Sequence, residues 1–186
     1  MHLVFLLEEP SMKAVLDELL PRVLPQEVTY LTVKHEGKTD LERSIPKKLR
    51  AIRTPETFFV IVRDQDSSDC VELKLRLASL CREAGRPDTL VRIVCHELES
   101  WFLGDLAAVE RAFGKTNLAA QQTKAKYRDP DRLANPAQEL AKLIPGYQKL
   151  GGARDIAPHM NLTGNRSRSF QAFLSGLQRL VSEPDA

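Results

Sequence analysis

The chain has 186 residues, 42% of them hydrophobic, with 27 basic and 25 acidic side chains and a formal charge of +2. That length suits one domain, or one domain with an appendage, and the near balance of charge neither demands nor excludes nucleic acid. No apolar stretch approaches the ~20 residues of a membrane span, and the first residues lack the pattern of a secretory signal, so a cytoplasmic protein with no membrane association is expected. Cys70, Cys81 and Cys95 fit neither a disulfide framework nor a Cys-x-x-Cys zinc site and are expected as small buried hydrophobes.

In chain order, the run Leu3-Val4-Phe5-Leu6-Leu7 predicts a buried strand over residues 2–8. Val15, Leu16, Leu19 and Leu20 recur at helical spacing over 11–24, ahead of Pro25. Alternation of Val28, Tyr30 and Thr32 with Thr29, Leu31 and Val33 predicts a second strand over 27–34, followed by a polar helix over 41–52. Phe58 to Arg63 reads as a third strand, and Leu73, Leu77 and Leu80 share one face of a helix over 70–84 that Gly85 and Pro87 stop. A fourth strand spans 90–95. Beyond Trp101 the spacing predicts helices over 103–113, 137–143 and 170–181, with a polar loop over 121–136 and a flexible turn at Gly151-Gly152. Strand-helix alternation of this kind predicts an α/β fold, with a mainly parallel central sheet flanked by helices and joined by right-handed crossovers. Residues 1–105 are expected to form the core and 106–186 a helical extension packed on it, within a single domain.

Two predicted strands end in carboxylates: Glu8-Glu9 after the first, and Asp64-Gln65-Asp66 after the third. In an open parallel sheet the ligand crevice lies outside the carboxyl ends of the strands, so Glu8, Asp64 and Asp66 are expected to converge there. Clustered carboxylates repel one another and suit a hard divalent cation such as Mg²⁺ or Mn²⁺. The competing reading is helix capping: Glu8 and Glu9 precede one helix, and Asp64 and Asp66 stand just before Ser68 and Asp69 at the start of another. Glu97 and Glu99 follow the fourth strand; Glu99 is favoured for a role in the site and Glu97 for a supporting one. Trp101 and Phe102 are expected to anchor a core. His96 and His159 are expected as hydrogen-bonded structural histidines, since nothing resembles His-Glu-x-x-His. Lys149, Arg166 and Arg168 are the candidate cations for a phosphate, while the basic runs at Lys47, Lys48, Arg50 and Arg53 and at Lys124, Lys126 and Arg128 read foremost as solvated faces.

An acidic residue after the first strand and Asp-x-Asp after the third resemble the Toprim fold of topoisomerases, primases and OLD-type nucleases, over roughly the first hundred residues. A closer resemblance covers nearly the whole chain. Glu8-Glu9-Pro10-Ser11, Arg63-Asp64-Gln65-Asp66, Glu99-Ser100-Trp101-Phe102-Leu103 and Asn165-Arg166-Ser167-Arg168-Ser169-Phe170 together look like domain of unknown function 4276, a bacterial family regarded as Toprim-like and often encoded beside ATPases in defence-type loci. The resemblance implies a Toprim-like Rossmannoid sheet and a Mg²⁺- or Mn²⁺-dependent nuclease acting on DNA or RNA. Glu8, Asp64, Asp66 and Glu99 would then be the metal-binding and catalytic carboxylates, with Lys149 as a catalytic cation and Arg166 and Arg168 on phosphate. An ATPase partner is implied as well, and a homodimer is left open. The chain departs from the family where Glu9 replaces the usual glycine and Ser11-Met12 the common Thr-Glu, so the loop's approach to phosphate is restricted.

Two other readings compete. Asp64-Gln65-Asp66-Ser67-Ser68 resembles the Asp-x-Asp-x-(Thr/Ser) opening of haloacid-dehalogenase-type phosphatases, but two strand-helix units precede it and the nearest second acidic motif is Asp129-Pro130-Asp131. The chain would otherwise be a non-catalytic binding or regulatory partner of an ATPase, a reading that Glu9 and the modest charge favour. No Walker-type glycine-rich loop occurs, so nucleotide hydrolysis would fall to a companion subunit.

Overall fold

Continuous apolar runs between turn residues make buried parallel strands, because crossover helices cover both faces of such a sheet. In the computed structural model, which describes residues 1–182, such runs form β1 (His2–Leu7), β3 (Thr57–Asp64) and β4 (Leu90–Val94), and the alternating, half-exposed β2 (Thr29–Lys34) completes the sheet. They alternate with α1 (Pro10–Val23), α2 (Lys38–Ala51) and α3 (Cys70–Glu83). The strands are parallel, as expected, and lie in the order β2-β1-β3-β4. The chain divides into two units, Met1–Ile93 and Val94–Ala186.

Within the first unit, Leu3 of β1 pairs with Tyr30 of β2 and Phe58 of β3, and Leu7 with Lys34 and Val62. Side chains alternate across the sheet. One face carries Val4, Leu6, Phe59, Ile61, Val91 and Ile93, buried against Leu41, Ile45 and Leu49 of α2 and Leu73, Leu77 and Cys81 of α3. The residues between them, Leu3, Phe5, Leu7, Val60 and Val62, are equally buried. Helix α1 lies against β1 and β2 and buries Met12, Val15, Leu16, Leu19 and Leu20. Cys81 sits in the core, where burial pushes its thiol up to about 11, whereas Cys70 and Cys95 are only half-buried.

The second unit is helical: α4 (Glu99–Leu103), α5 (Leu106–Phe113), α6 (Pro136–Leu143), α7 (Lys149–Ile156) and α8 (Arg168–Ser182), with 3-10 turns at Ala119–Thr123, Pro130–Arg132 and Ala157–His159. Trp101 is fully buried, its ring 5.1 Å from Phe170 and 5.2 Å from Phe173, so it anchors a core as expected.

Three local expectations need correction. The helix predicted over 103–113 is broken at Gly104-Asp105. Asp105 caps α5 by accepting the Ala108 N–H at 3.0 Å and also takes the Asn161 N–H at 2.7 Å, while a Cβ on Gly104 would collide with the Asn165 side chain. Secondly, the polar loop over 121–136 holds two of the 3-10 turns, tied down by Gln122, whose amide donates to the carbonyls of Leu103 (3.0 Å) and Tyr127 (2.8 Å). Thirdly, Gly151 and Gly152 lie inside α7 instead of forming a flexible turn. The ring of Tyr147 packs where a Cβ of Gly152 would stand, so the missing side chain makes room for an aromatic contact.

Candidate functional site

The strand order fixes where a site can form in the first unit. From β1 the chain crosses to β2 on one side and then returns past β1 to β3 on the other. The crevice of such a sheet opens where the order reverses, between the carboxyl ends of β1 and β3. Glu8 follows β1 and Asp64 ends β3.

Alternation then decides what each side chain meets. Glu8 continues the Val4-Leu6 face and Arg63 the Phe59-Ile61 face, so the two are cross-strand neighbours: Arg63 Nε lies 3.7 Å from Glu8 Oε2. Glu8 Oε2 also accepts the backbone N–H of Asp64 at 3.0 Å. Glu8 therefore touches Asp64 through the backbone, while the Asp64 side chain continues the opposite, Val60-Val62 face and is 4% exposed. Asp66 stands in the following turn at φ +52°, its Oδ2 3.1 Å from Lys38 Nζ at the start of α2. Burial is the main influence on Glu8 and raises its carboxyl above the usual range. The Asp64 N–H and Arg63 pull it down, and the charges of Asp66 and Glu9 push it up.

The capping alternative is not how these carboxylates are used. Asp69 caps α3, accepting the N–H groups of Val71 and Glu72 at 2.9 Å each, which leaves Asp64 and Asp66 outside that duty. Glu9 occupies the N-cap position of α1 without a side-chain bond to its amides and is engaged instead by the Ser11 hydroxyl.

Arg63 is the site residue that sequence reasoning missed. Its side chain is 2% exposed and is gripped by Glu42 of α2 at 2.6 Å, while Glu42 holds Arg76 of α3 with its other oxygen, also at 2.6 Å. The available signal was an arginine at a core-facing position of an apolar strand. His35 is a second omission: its Nδ1 lies 2.9 Å from the Leu7 carbonyl and its Nε2 2.5 Å from Ser44, which pins the end of β1 to α2.

In the second unit Glu99 and Lys149 come together. Glu99, 1% exposed at the start of α4, accepts the Tyr147 hydroxyl at 3.0 Å, and Lys149 Nζ stands 3.9 Å from Glu99 and 3.8 Å from Glu97. Burial pushes the Glu99 carboxyl up; Lys149, a backbone bond and Tyr147 oppose this, and Glu97 adds to it. Glu97 also accepts the Ala137 N–H at 2.9 Å in the first turn of α6. His96, just before, adopts φ +57°.

The Asn165–Phe170 motif works through its alternate residues. Asn165, Ser167 and Ser169 are buried while Arg166 and Arg168 face outward. Asn165 donates to the Trp101 carbonyl at 2.8 Å, and Asp131 accepts the Ser167 hydroxyl at 2.7 Å and the Ser169 N–H at 2.8 Å. Arg168, with 81% of its side chain exposed, lies 3.8 Å from Asp129.

Oxygen-only donors suit a hard cation, and Mg²⁺ is commonly held through one or two carboxylates with water and substrate phosphates filling its octahedron. Among the described residues no group of three or more His, Cys, Asp and Glu side chains is disposed to hold a metal ion. The carboxylates at the β1–β3 crevice are oxygen donors of the kind that would suit one such cation, and Asp66 is paired with Lys38. No helix among the described residues is long and apolar enough to cross a membrane.

Comparison with curated proteins and with solved structures finds no match in either. A family model does match, over residues 7–178, from the last residue of β1 into α8. By that match the chain belongs to the domain of unknown function family DUF4276.

Proposed function

We propose that this protein hydrolyses nucleic-acid phosphodiesters with the help of Mg²⁺ or Mn²⁺, as a Toprim-like nuclease whose site is the crevice between β1 and β3. The observation that carries the reading is Glu8: a buried carboxylate at the sheet's switch point, facing the negative charge of Asp66 and Glu9, with helix capping delegated to Asp69. A resident divalent ion would supply charge neutralisation for the scissile phosphate and activation of water. One or two of the carboxylates Glu8, Asp64 and Asp66 would hold that ion, with water and phosphate oxygens completing its shell. Arg63 orients Glu8 from the side and opposes the effect of burial on its carboxyl. Lys38 balances Asp66 until a cation takes its place.

The second unit, taken by itself, carries a buried carboxylate of its own in Glu99, whose Oε1 accepts the Tyr147 hydroxyl and whose Oε2 lies 3.9 Å from Lys149, a set suited to handling a proton. Arg166 and Arg168, exposed on the segment leading into α8, would draw the polyanion. The non-catalytic reading, a binding partner of an ATPase, draws on the Lys38–Asp66 pair, which already balances one carboxylate without metal.

Calorimetric titration of Mn²⁺ and Mg²⁺ into the wild type, Glu8→Gln and Asp64→Asn, with cleavage of plasmid DNA and of RNA followed on the same samples, tests the proposal. Binding and cleavage in the wild type, both lost in the variants, are expected. Wild-type protein that binds neither ion would overturn the reading in favour of the binding partner.

A further inference from the structure

On the α2–α3 side of the first unit lies a cavity of about 440 Å³ whose wall carries four cations, Lys38, Arg43, Arg63 and Arg76, and one carboxylate, Glu42. The chain as a whole has 27 basic residues against 25 acidic, so this concentration is local.

The cations are set in place by carboxylates, one of which, Glu42, is itself part of the wall. Glu42 holds Arg63 on one oxygen and Arg76 on the other, both at 2.6 Å, which keeps two guanidinium groups at a fixed separation. Glu8 stands 3.7 Å from Arg63 and Asp66 3.1 Å from Lys38. Arg43 has no ion-pair or hydrogen-bond partner for its guanidinium among the described residues. Thr39 and Ser68 add hydroxyls to the wall. Lys38 and Thr39 open α2, whose N-cap is Gly37 at φ +99° with no side chain to satisfy the first-turn amides. The positive end of the helix dipole lies there, together with the Asp40 carboxylate of the first turn, which accepts the Glu36 N–H at 3.1 Å.

Guanidinium groups, an ammonium and hydroxyls make a wall dominated by donors, with Glu42 as its one carboxylate. Its match is a compact multivalent oxyanion, and planar guanidinium pairs are best suited to phosphate. The volume falls in the range of small-ligand clefts, roughly 300–1,000 Å³, and so suits one nucleotide. We propose that this pocket binds the phosphate of a single nucleotide, either free or at the end of a nucleic-acid strand. The proposal rests on the nuclease reading only for the strand as a source of that phosphate; the phosphate site stands on the cavity itself.

The test is made without divalent metal, in chelator, so that it is independent of cleavage. Fluorescence anisotropy would follow a short single-stranded oligonucleotide carrying a terminal phosphate and the same strand ending in a hydroxyl, each competed with a nucleoside monophosphate and with the nucleoside. Phosphate-bearing strands are expected to bind about tenfold more tightly than hydroxyl ends, in keeping with the strength of charge-assisted hydrogen bonds. Arg43→Glu and Arg76→Glu, both at exposed positions, should abolish that preference while circular dichroism stays unchanged. Asp64→Asn should leave it intact. Competition by the monophosphate as strong as that by the strand assigns the pocket to a free nucleotide, and stronger competition by the strand assigns it to a strand end. Equal affinity for phosphate and hydroxyl ends, together with no competition by the monophosphate, would overturn the proposal, as would a preference that survives both charge reversals.

Discussion

The Glu8 carboxylate accepts the backbone N–H of Asp64 at 3.0 Å, joining residues 56 positions apart where β1 and β3 end side by side. One oxygen of Glu8 thereby senses both the backbone of β3 and the Arg63 guanidinium, so the charge on this carboxylate is tied to the integrity of the sheet edge.

Arg63→Met should be strongly destabilising, because it leaves the buried Glu8 without its cation and Glu42 with Arg76 alone. Removing one partner of a buried ion pair costs about 3–5 kcal/mol. Urea unfolding should show a loss of unfolding free energy of that order, and the double variant Arg63→Met/Glu8→Gln should recover part of the loss. Equal stability of Arg63→Met and wild type would contradict the described network.

The pH dependence of stability has a definite sign at Glu8. Its folded-state carboxyl is raised above the ordinary 4.5, so as pH climbs past that value the unfolded chain gives up its proton first and the folded state loses stability. Above the folded-state value the loss is complete and constant. Glu8→Gln removes this contribution while its amide oxygen can still accept the Asp64 N–H. Denaturation of both proteins from about pH 4 to about pH 7, the span in which carboxyls titrate, should show the variant gaining relative to wild type as pH rises.

Gly152→Ala reverses the usual rule for helices. At an ordinary interior position alanine stabilises by about 0.8–1.0 kcal/mol relative to glycine, but here the new methyl collides with the Tyr147 ring. Overpacking of that kind costs about 1–3 kcal/mol, and displacing Tyr147 also removes the hydroxyl that Glu99 accepts. A lowered melting temperature, with a changed tyrosine fluorescence, is the expected result.

Asp131→Ala removes the acceptor for the Ser169 N–H at the start of α8 and for the Ser167 hydroxyl. Loss of a side-chain cap costs about 0.5–2 kcal/mol. Hydrogen exchange should accelerate most in the first turn of α8, with the first unit unchanged.

The first unit was legible because three strands are apolar runs bounded by turn residues, the fourth, β2, alternates, and each helix shows its own spacing. The second was harder for identifiable reasons. Apolar spacing runs through Gly104-Asp105 as though the helix continued, and only the Asn161 and Asn165 contacts reveal the break. Two glycines hid α7, since propensity argues against them and the reason for Gly152 is a ring five residues upstream. At the site, the topology rule expected the carboxylates of Glu8, Asp64 and Asp66 to converge; the structure joins Glu8 to Asp64 through the backbone N–H, and strand alternation sends the Asp64 side chain to the opposite face. The Arg63–Glu42–Arg76 network joins three elements by their packing, and nothing in local spacing announces it.

Asp66 adopts φ +52°, a backbone setting that glycine, asparagine and aspartate tolerate and branched side chains resist. Two demands therefore fall on one position, the shape of the turn and a negative charge, and asparagine meets the first without the second. A population of related chains would show the difference directly: where the charge is dispensable the position should drift to asparagine or glycine, and where it is used aspartate should persist although two other residues fit the turn equally well.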